Sequence, residues 1–464
     1  MTTAPAAPAP TTARPMTEWR RRAGAPAALV AVLVVAGCSN PSTSPAASGV
    51  AGQIPQPSVT DMEVADPADR VDLAMPTFTN PTEITNPLFP IALQSSNLLV
   101  GTVEDQPFRT EVTVLPETRV MEWDGHQVET VVSQYNAFVG GRIEEIAYDL
   151  YAQADDGSVW YFGEDVFNFA DGAIADTEGT WHAGVDGPAA MIMPANPQVG
   201  DVYRPENIPG LVFEEVVVKS TDETLDGPFG PIEHGILVEE HHADGGNENK
   251  NFAPDYGEFY TAADGEVEAL AMAVPPDGAS GSIPDALATA ATSADAAVGS
   301  ALRGDLAQVG DLAAELGAAI GDLDDTEIPA LLRPLLGDGI DALSSAASDG
   351  DEEATTQAAI DVARLVNDLT LRYRAIPEVD LDRIGLWGAQ LIVDAGAEDL
   401  DGVRSDAYAV DYAKERIVGG VAGEIVRLLN STLTDLQAAV ADEDFAAIAE
   451  SGQALRDAAG AIGS

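Results

Sequence analysis

Pairs of turn-forming residues recur through the first half of this chain and constrain its fold more than any other feature. Asp-Gly and Gly-Gly pairs tolerate the positive φ angles of the tight turns that join neighbouring antiparallel strands. The segments between the pairs are rich in β-branched and aromatic residues, which favour strands. The sequence therefore predicts successive hairpins. The pairs are Asp124-Gly125, Gly140-Gly141, Asp156-Gly157, Asp171-Gly172, Asp226-Gly227 and Asp264-Gly265.

Successive hairpins form an antiparallel β meander, whose edges stay unpaired unless the sheet curls. We therefore predict that residues 71–275 form a meander that curls to a barrel or half-barrel. Residues 158–162, with the sequence SVWYF, are almost continuously apolar rather than alternating. Such a strand is expected to be covered on both faces, by another segment of the chain or by a ligand.

The composition changes sharply after Val274. Residues 276–284 are a linker rich in Pro, Gly and Ser, and residues 285–464 are rich in Ala, Leu and Asp. Apolar residues recur there at spacings of three and four, which predicts amphipathic helices that pack as a bundle. The predicted fold class is α+β: the curled antiparallel meander, followed by a separate C-terminal α-helical bundle.

Five side chains of the helical half carry structural interpretations rather than functional ones. Trp387 lies on an apolar stripe beside small residues, which predicts a buried anchor. Charged residues of helices usually face solvent. Asp394, Asp401, Arg404 and Asp411 are therefore expected to form an outer charged face.

The only cysteine of the chain directly follows an apolar run. Arginines at 20–22 precede the apolar residues 23–36, which is the arrangement of a secretory signal. The sequence VAGC at 35–38 resembles the lipobox of bacterial lipoproteins, where the cysteine receives a diacylglyceryl group that holds the protein on the membrane. Residues 1–38 are therefore predicted to be a lipoprotein signal peptide, with Cys38 lipidated.

A plain cleaved signal peptide followed by an incidental thiol is the alternative, although an exported lone thiol is exposed to oxidation. Met16 offers a second possible start and gives the same mature chain. Residues 39–70 begin with a stretch rich in Ser, Pro, Ala and Gly, which predicts a flexible tether. The protein is thus expected to be extracytoplasmic, anchored to the cell membrane through the lipid on Cys38.

The charge of the chain limits its partners. It has 77 acidic and 22 basic residues, a formal net charge of −55. This excludes a general affinity for nucleic acid, because phosphate binding needs clustered Lys and Arg. The acidity is compatible with salt adaptation or with cation binding, but no segment has the calcium-loop pattern D-x-[DN]-x-[DN]-G-x5-E.

No metal site, cofactor or catalytic residue is predicted. His241 and His242 are adjacent on a predicted strand, so their side chains point to opposite faces and do not readily ligate one ion. The sequence also lacks the motifs of nucleotide-binding loops and of activated serine nucleophiles.

Aromatic and acidic residues cluster around two tryptophans in the meander. Paired carboxylates beside aromatic rings are what a sugar-cleaving site needs, so a hydrolase that uses Glu164 and Asp186 is the less favoured alternative. The structural interpretation is that Trp160 and Trp181 are packing residues and that the carboxylates satisfy turns. The candidate ligand-binding residues are Trp160, Phe162, Glu164, Asp165, Trp181 and Asp186.

Several motifs of the meander resemble an uncharacterised family of secreted bacterial proteins, found mostly in actinobacteria and often as lipoproteins. The resemblance covers roughly residues 78–259 and implies a fold without an established activity. The family pattern tends to close with Y-Y-A-P-G-x-G, where this chain has NFAPDYG at 251–257. The matching pieces are NPTEITNPLFP at 80–90, VWYFGED at 159–165, GTWHAGVDG at 179–187, MPA at 193–195, VGD at 199–201 and YR at 203–204.

These observations predict an exported, lipid-anchored cell-envelope lipoprotein that acts as a non-enzymatic ligand-binding module. Its partners are the membrane, through Cys38, and an unknown small ligand or envelope protein. The binding hypothesis predicts a cavity lined by the aromatic residues 160–162. The alternative is a structural or protein-interaction role of the helical bundle, which predicts an exposed apolar patch on the bundle.

Overall fold

The computed structural model of the chain describes residues 54, 64–94, 96–243, 245–263, 266–279 and 281–460. Within these residues the chain forms fourteen β-strands followed by eight α-helices. The predicted signal peptide, Cys38, most of the predicted tether and the Asp264-Gly265 turn lie outside the described residues.

The strands occupy the first part of the described chain. They are β1 Ser96–Val103, β2 Gln106–Trp123, β3 His126–Val139, β4 Arg142–Gln153, β5 Val159–Ala170, β6 Ala173–Asp176, β7 Trp181–His182, β8 Ala190–Met193, β9 Val202–Ile208, β10 Val212–Gly227, β11 Gly230–His242, β12 Asn247–Ala253, β13 Gly257–Ala263 and β14 Glu266–Val274.

All fourteen described strands belong to one antiparallel sheet. Its order is β6-β5-β4-β3-β2-β1-β14-β13-β12-β11-β10-β9, with β7 and β8 paired to β5. Two runs of hairpins therefore lie side by side and are joined where β1 pairs with β14. The order ends at β6 and β9, so the sheet is not a closed barrel.

Local turn chemistry explains most of the hairpins. Asp124 and Gly125 join β2 to β3 with φ angles of 49° and 75°, the left-handed region that this turn requires. The glycine pair at 140–141 joins β3 to β4 in the same region, and the pair at 171–172 joins β5 to β6. These three turns confirm the predictions.

The turn predicted at Asp226-Gly227 is wrong in its position. Asp226 and Gly227 are the last residues of β10 and pair with the first residues of β11. The turn itself consists of Pro228 and Phe229. Proline fixes a φ angle that suits a turn and lacks a backbone N–H for the ladder, and this preference displaced the turn from the Asp-Gly pair.

The sheet curls around one of its faces. We call the face that carries Tyr135 the inner face and the face that carries Phe138 the outer face. Glu145 of β4 and Glu248 of β12 line the same cavity, although many strands separate them in the sheet order. The curled sheet followed by C-terminal helices confirms the predicted α+β fold class, in its half-barrel form.

Strand β5 is buried on both faces, as its apolar run predicts. The rings of Trp160 and Phe162 lie 6.4 and 5.8 Å from that of Trp123 on one face. Tyr161 faces the other way, and its ring lies 5.3 Å from that of Trp181. Both coverings come from the chain itself.

The eight helices follow the last described strand. They are α1 Asp285–Ala301, α2 Leu306–Gly321, α3 Leu332–Asp349, α4 Glu352–Thr370, α5 Ile376–Gly396, α6 Leu400–Ile417, α7 Gly423–Ala441 and α8 Phe445–Gly460. Aspartates cap several of them: the Asp351 carboxylate accepts a hydrogen bond from the backbone N–H of Ala354 at 3.0 Å, which satisfies a free donor of α4.

The bundle packs on the outer face of the sheet. Phe138 of β3 stacks on Trp387 of α5 with ring centroids 5.4 Å apart, and the guanidinium of Arg364 lies 4.3 Å from the centroid of the same indole. Ile146 and Phe169 of the sheet join the same apolar cluster. Trp387 is therefore the buried anchor that the sequence predicts.

The outer charged face predicted for the bundle is wrong at Asp394. Asp401 is exposed, whereas Asp394 is buried and accepts hydrogen bonds from Arg142 of β4 and, at 3.1 Å, from Gln390. The sheet lies against this side of α5 and supplies the matching charge.

A cluster of three arginines and three carboxylates lies between the sheet and the bundle. Glu111 of β2 accepts from Arg109 at 2.7 Å, and its other oxygen lies 2.9 Å from Arg416 of α6. Although burial alone raises the pKa of Glu111, the guanidinium groups around it hold that pKa below its usual value. The charges balance within the cluster. Its members are Arg109, Glu111, Asp368, Asp380, Arg383 and Arg416.

We expect the substitution Arg416→Ala to lower the free energy of unfolding by about 3–5 kcal/mol, because it leaves Glu111 and Asp380 buried without one of their matching charges. Urea denaturation measures this loss. Arg404→Ala removes a half-exposed arginine from the same helix and is the control, with an expected change within about 0.5 kcal/mol. Equal effects of the two variants would contradict the structural role of the cluster.

Candidate functional site

The three aromatic residues that were predicted to bind a ligand are all packing residues. Trp160, Phe162 and Trp181 are buried in one apolar cluster. None of the three lines either cavity that the structure shows on the inner face. Neither of these cavities lies at residues 160–162, where neighbouring segments of the chain pack against the rings.

Among the carboxylates predicted to bind a ligand, Glu164 is the one that reaches the inner face. It pairs with Asp149 across β4 and β5. Burial, followed by the charges of Asp149 and Glu206, raises the pKa of Glu164 well above its usual value. Burial also raises the pKa of Glu206 to about 7, and Glu206 accepts a hydrogen bond from the indole N–H of Trp181 at 3.3 Å.

The other two predicted carboxylates have structural contacts elsewhere. Asp165 lies 2.6 Å from Arg119 and 3.0 Å from the ring of His182. Asp186 is exposed and accepts a hydrogen bond from the backbone N–H of His182 at 2.9 Å, within its own turn. Glu164 thus lies among the inner-face carboxyl groups, whereas Asp186 lies in an exposed turn, and the hydrolase hypothesis that uses both stays a prediction.

Two cavities lie on the inner face, between strands that are far apart in the sheet order. The first, which we call the tyrosine cavity, has a volume of 110 Å³ and is lined by Tyr135, Tyr151, Tyr256, Asp149, Glu258 and Glu268 among others. The second, the glutamate cavity, has a volume of 190 Å³ and is lined by Glu144, Glu145, Glu248, Glu266 and Glu268 among others. Tyr135 and Glu268 belong to both walls.

Two residues that line the tyrosine cavity each carry a buried polar atom that has no hydrogen-bond partner among the described residues. These atoms are the hydroxyl oxygen of Ser133 and the side-chain oxygen of Asn97. Ser133 has no exposed surface at all. Buried polar atoms are nearly always paired, because leaving one unpaired costs about 1–3 kcal/mol.

Burial dominates the acid–base chemistry of the cavity walls. It raises the pKa of Glu268 to about 8, together with the nearby charge of Glu258. It raises the pKa of Asp149 to about 6, although Tyr161 donates a hydrogen bond to Asp149 at 2.8 Å. In the glutamate cavity, burial raises the pKa of Glu145 to about 7.

Among the described residues, one group of three side chains has potential ligand atoms close enough together to hold a metal ion. It lies on β11 and β12. Ligand atoms of Glu240, His242 and Glu248 all lie within 4.8 Å of one another. The ammonium of Lys250 already lies 2.7 Å from Glu240 and 3.4 Å from Glu248. A hydrogen bond with Glu214 and further contacts raise the pKa of His242 to about 10, so its imidazole is protonated at neutral pH and offers no lone pair.

The two adjacent histidines point to opposite faces, as the sequence predicts. His242 faces Glu214 and Glu248, whereas the ring of His241 lies 3.0 Å from Glu239.

The helical bundle has a larger groove, which is less suited to be the site. Its volume is 670 Å³ and it lies between α1, α4, α5 and α8. Its charged groups satisfy each other: Arg374 lies 2.5 Å from Asp382, and Arg456 lies 3.5 Å from Asp295. Among the described residues that line the groove, none carries a buried polar atom without a hydrogen-bond partner.

Sequence reasoning missed the inner-face carboxylates, although a signal was present. Ionisable residues alternate with other residues along single strands, as in Glu240 and His242, Glu248 and Lys250, or Glu266 and Glu268. Side chains at positions i and i+2 of a strand lie on the same face, so both members of each pair share a face. An alternation of this kind is usually assigned to solvent, and only the curl of the sheet shows that these groups are enclosed.

No protein-family model matches this chain, and no curated protein matches it either. The resemblance to secreted bacterial lipoproteins therefore stays a prediction. None of the helices that the structure describes combines the length and the apolar character needed to cross a bilayer.

We expect the free energy of unfolding to fall by more than about 1 kcal/mol between pH 5 and pH 8. Glu268 holds its proton to a pKa of about 8 in the folded state and Glu145 to about 7, against about 4.5 for both when unfolded. The unfolded chain thus binds fewer protons in this range, so stability decreases as the pH rises. The raised pKa of His242 acts in the same direction.

Urea denaturation at several pH values measures this dependence. Glu268→Gln removes one of the responsible groups, so its stability should fall less steeply than that of the unchanged protein. Glu129→Gln changes an exposed glutamate of β3 and should leave the slope as it is. The interpretation of the inner face is wrong if stability at pH 8 equals or exceeds that at pH 5.

Proposed function

We propose that this protein is an exported, lipid-anchored binding protein that holds a small molecule inside its curled sheet without transforming it. The observation that carries this proposal is the pair of unpartnered polar atoms, on Ser133 and Asn97, in the wall of the tyrosine cavity. A ligand with hydrogen-bonding groups would satisfy both atoms.

The size and shape of the inner-face cavities agree with a small ligand. Their volumes of 110 and 190 Å³ together approach the lower end of the range for ligand sites, roughly 300–1,000 Å³. Three tyrosine rings supply apolar and polarizable surface, and the carboxyl groups supply a small number of placed polar contacts. This composition is typical of ligand pockets.

Binding is favoured over catalysis by the state of Ser133. An activated serine nucleophile needs a base within hydrogen-bonding distance. The hydroxyl of Ser133 has no hydrogen-bond partner in the part of the chain that the structure describes. It is therefore suited to contact a ligand and not to attack one.

The alternative role, protein interaction through the bundle, rests on fewer observations. Leu331 and Leu335 are exposed one turn apart at the start of α3, and Val418 and Leu428 are exposed near the start of α7. Such pairs of side chains do not form a patch of several hundred Å² that would mark an interface. The cavity thus remains the better basis for a function.

Native mass spectrometry of the full-length protein in detergent tests the ligand proposal. We expect reproducible extra mass that disappears on denaturation. Ser133→Ile fills the tyrosine cavity and should abolish this extra mass without unfolding the protein, because the hydroxyl that it removes has no partner. Ser220→Ile makes the same change on β10, outside both cavities, and should retain the ligand. A bare unchanged protein, or equal capture by both variants, argues against the proposal.

The membrane attachment is tested separately, on the chain segment around Cys38. We expect cells fed a labelled fatty acid to incorporate the label into the unchanged protein and not into Cys38→Ala, because the sulfur carries the diacylglyceryl group that holds the fatty acids. Ser39→Ala, at the neighbouring position, should be labelled normally. An exported protein that carries no label would show that Cys38 follows a plain signal peptide.

A further inference from the structure

We propose that the ligand of the inner-face cavities is a small aliphatic amine, bound as its ammonium ion. This proposal rests on the ligand-binding function proposed above and gives it a chemical class. It follows from the charges of the cavity walls, from the unpartnered atoms, and from the distances between the carboxyl groups.

The walls of both cavities carry carboxyl groups and no basic side chain among the described residues. Asp149, Glu258 and Glu268 line the tyrosine cavity. The glutamate cavity is lined by Glu268 again and by four further glutamates. No ion pair joins Asp149, Glu258 or Glu268 to a basic side chain among the described residues, and burial raises the pKa of Asp149 and of Glu268. A cationic ligand would let them ionise and pair.

The unpartnered atoms fit an ammonium group. An alkylammonium has three N–H donors and no acceptor. The side-chain oxygen of Asn97 is an acceptor, and the hydroxyl of Ser133 is able to accept. The rings of Tyr135, Tyr151 and Tyr256 in the same wall offer faces that attract a cation.

The spacing of the carboxyl groups favours an organic cation over a metal ion. Calcium needs six to eight oxygen ligands at about 2.3–2.6 Å, and therefore ligand atoms that converge on one point. Among the His, Cys, Asp and Glu side chains of the described residues, one group of three has ligand atoms within 4.8 Å of one another. It consists of Glu240, His242 and Glu248. The carboxyl groups of the tyrosine cavity do not converge in this way, whereas an extended molecule contacts them one at a time.

The inner face already binds one primary ammonium group by the same chemistry. The Nζ atom of Lys250 lies 2.7 Å from a carboxylate oxygen of Glu240 and 3.4 Å from one of Glu248. Those carboxylates raise the pKa of Lys250 well above its usual value, although burial alone lowers it. Glu248 also lines the glutamate cavity, so this ammonium site adjoins the proposed one.

Calorimetric titration of the full-length protein at pH 7.5 tests the amine class. The probe is 1,4-diaminobutane, whose two ammonium groups suit two acidic cavities with a shared wall. The neutral isostere 1,4-butanediol and calcium chloride are the comparison ligands. We expect the diamine to bind at least about tenfold more tightly than the diol, as charge-assisted hydrogen bonds require.

Glu268→Gln should weaken diamine binding by about tenfold or more, because it removes a carboxyl group common to both cavities. Glutamine keeps the volume and the acceptor that Thr110 contacts, so the fold is retained. Glu129→Gln, an exposed change on β3, should bind the diamine normally. Should Glu268→Gln fail to fold, Glu258→Gln is the second variant, and it should also weaken diamine binding by about tenfold or more.

The other outcomes separate this inference from the function on which it rests. If the diol binds as tightly as the diamine, or calcium binds and the diamine does not, the amine class is wrong and binding in the cavity stands. If no probe binds while native mass spectrometry shows a captured compound, the class is again wrong. If no probe binds and the native mass is bare, both proposals fail.

Discussion

The buried cluster of arginines and carboxylates between sheet and bundle is the interaction on which the rest of the molecule depends. Glu111 extends from the outer face of β2 and meets Arg383 of α5 and Arg416 of α6. Each of these charges has lost most of its hydration, so each needs its partners in place. The charges match in one arrangement only, and this fixes the helices on the outer face of the sheet.

With helices on its outer face, the sheet can enclose only its inner face by curling. Part of that interior is apolar and is filled around Trp181 and Tyr203. The remainder carries carboxyl groups such as Glu268, whose pKa burial raises to about 8. Glu268 is therefore largely protonated at neutral pH, so the sheet tolerates this group in an interior that has few basic side chains.

Features with local causes could be predicted from the sequence, and features that depend on the curl could not. The turn at Asp124-Gly125 depends on the φ preferences of two neighbouring residues, and the apolar run that precedes Glu164 is sufficient to predict a strand buried on both faces. At the inner-face site Glu206 of β9 meets Asp149 and Glu164 of the β4–β5 pair, and β9 approaches that pair only in the folded sheet. Burial of Asp394 likewise depends on a distant arginine of the sheet.

The inner face has two ways to remain neutral, and they respond differently to pH. Near Lys250 an ammonium group balances the carboxylates. In the tyrosine cavity, where no basic side chain among the described residues lines the wall, a proton on Glu268 does so. An ammonium ligand would take the place of that proton, which links occupancy of the cavity to ionisation of its walls. On this proposal the ligand stabilises the fold most at the higher pH values, where the empty sheet is least stable.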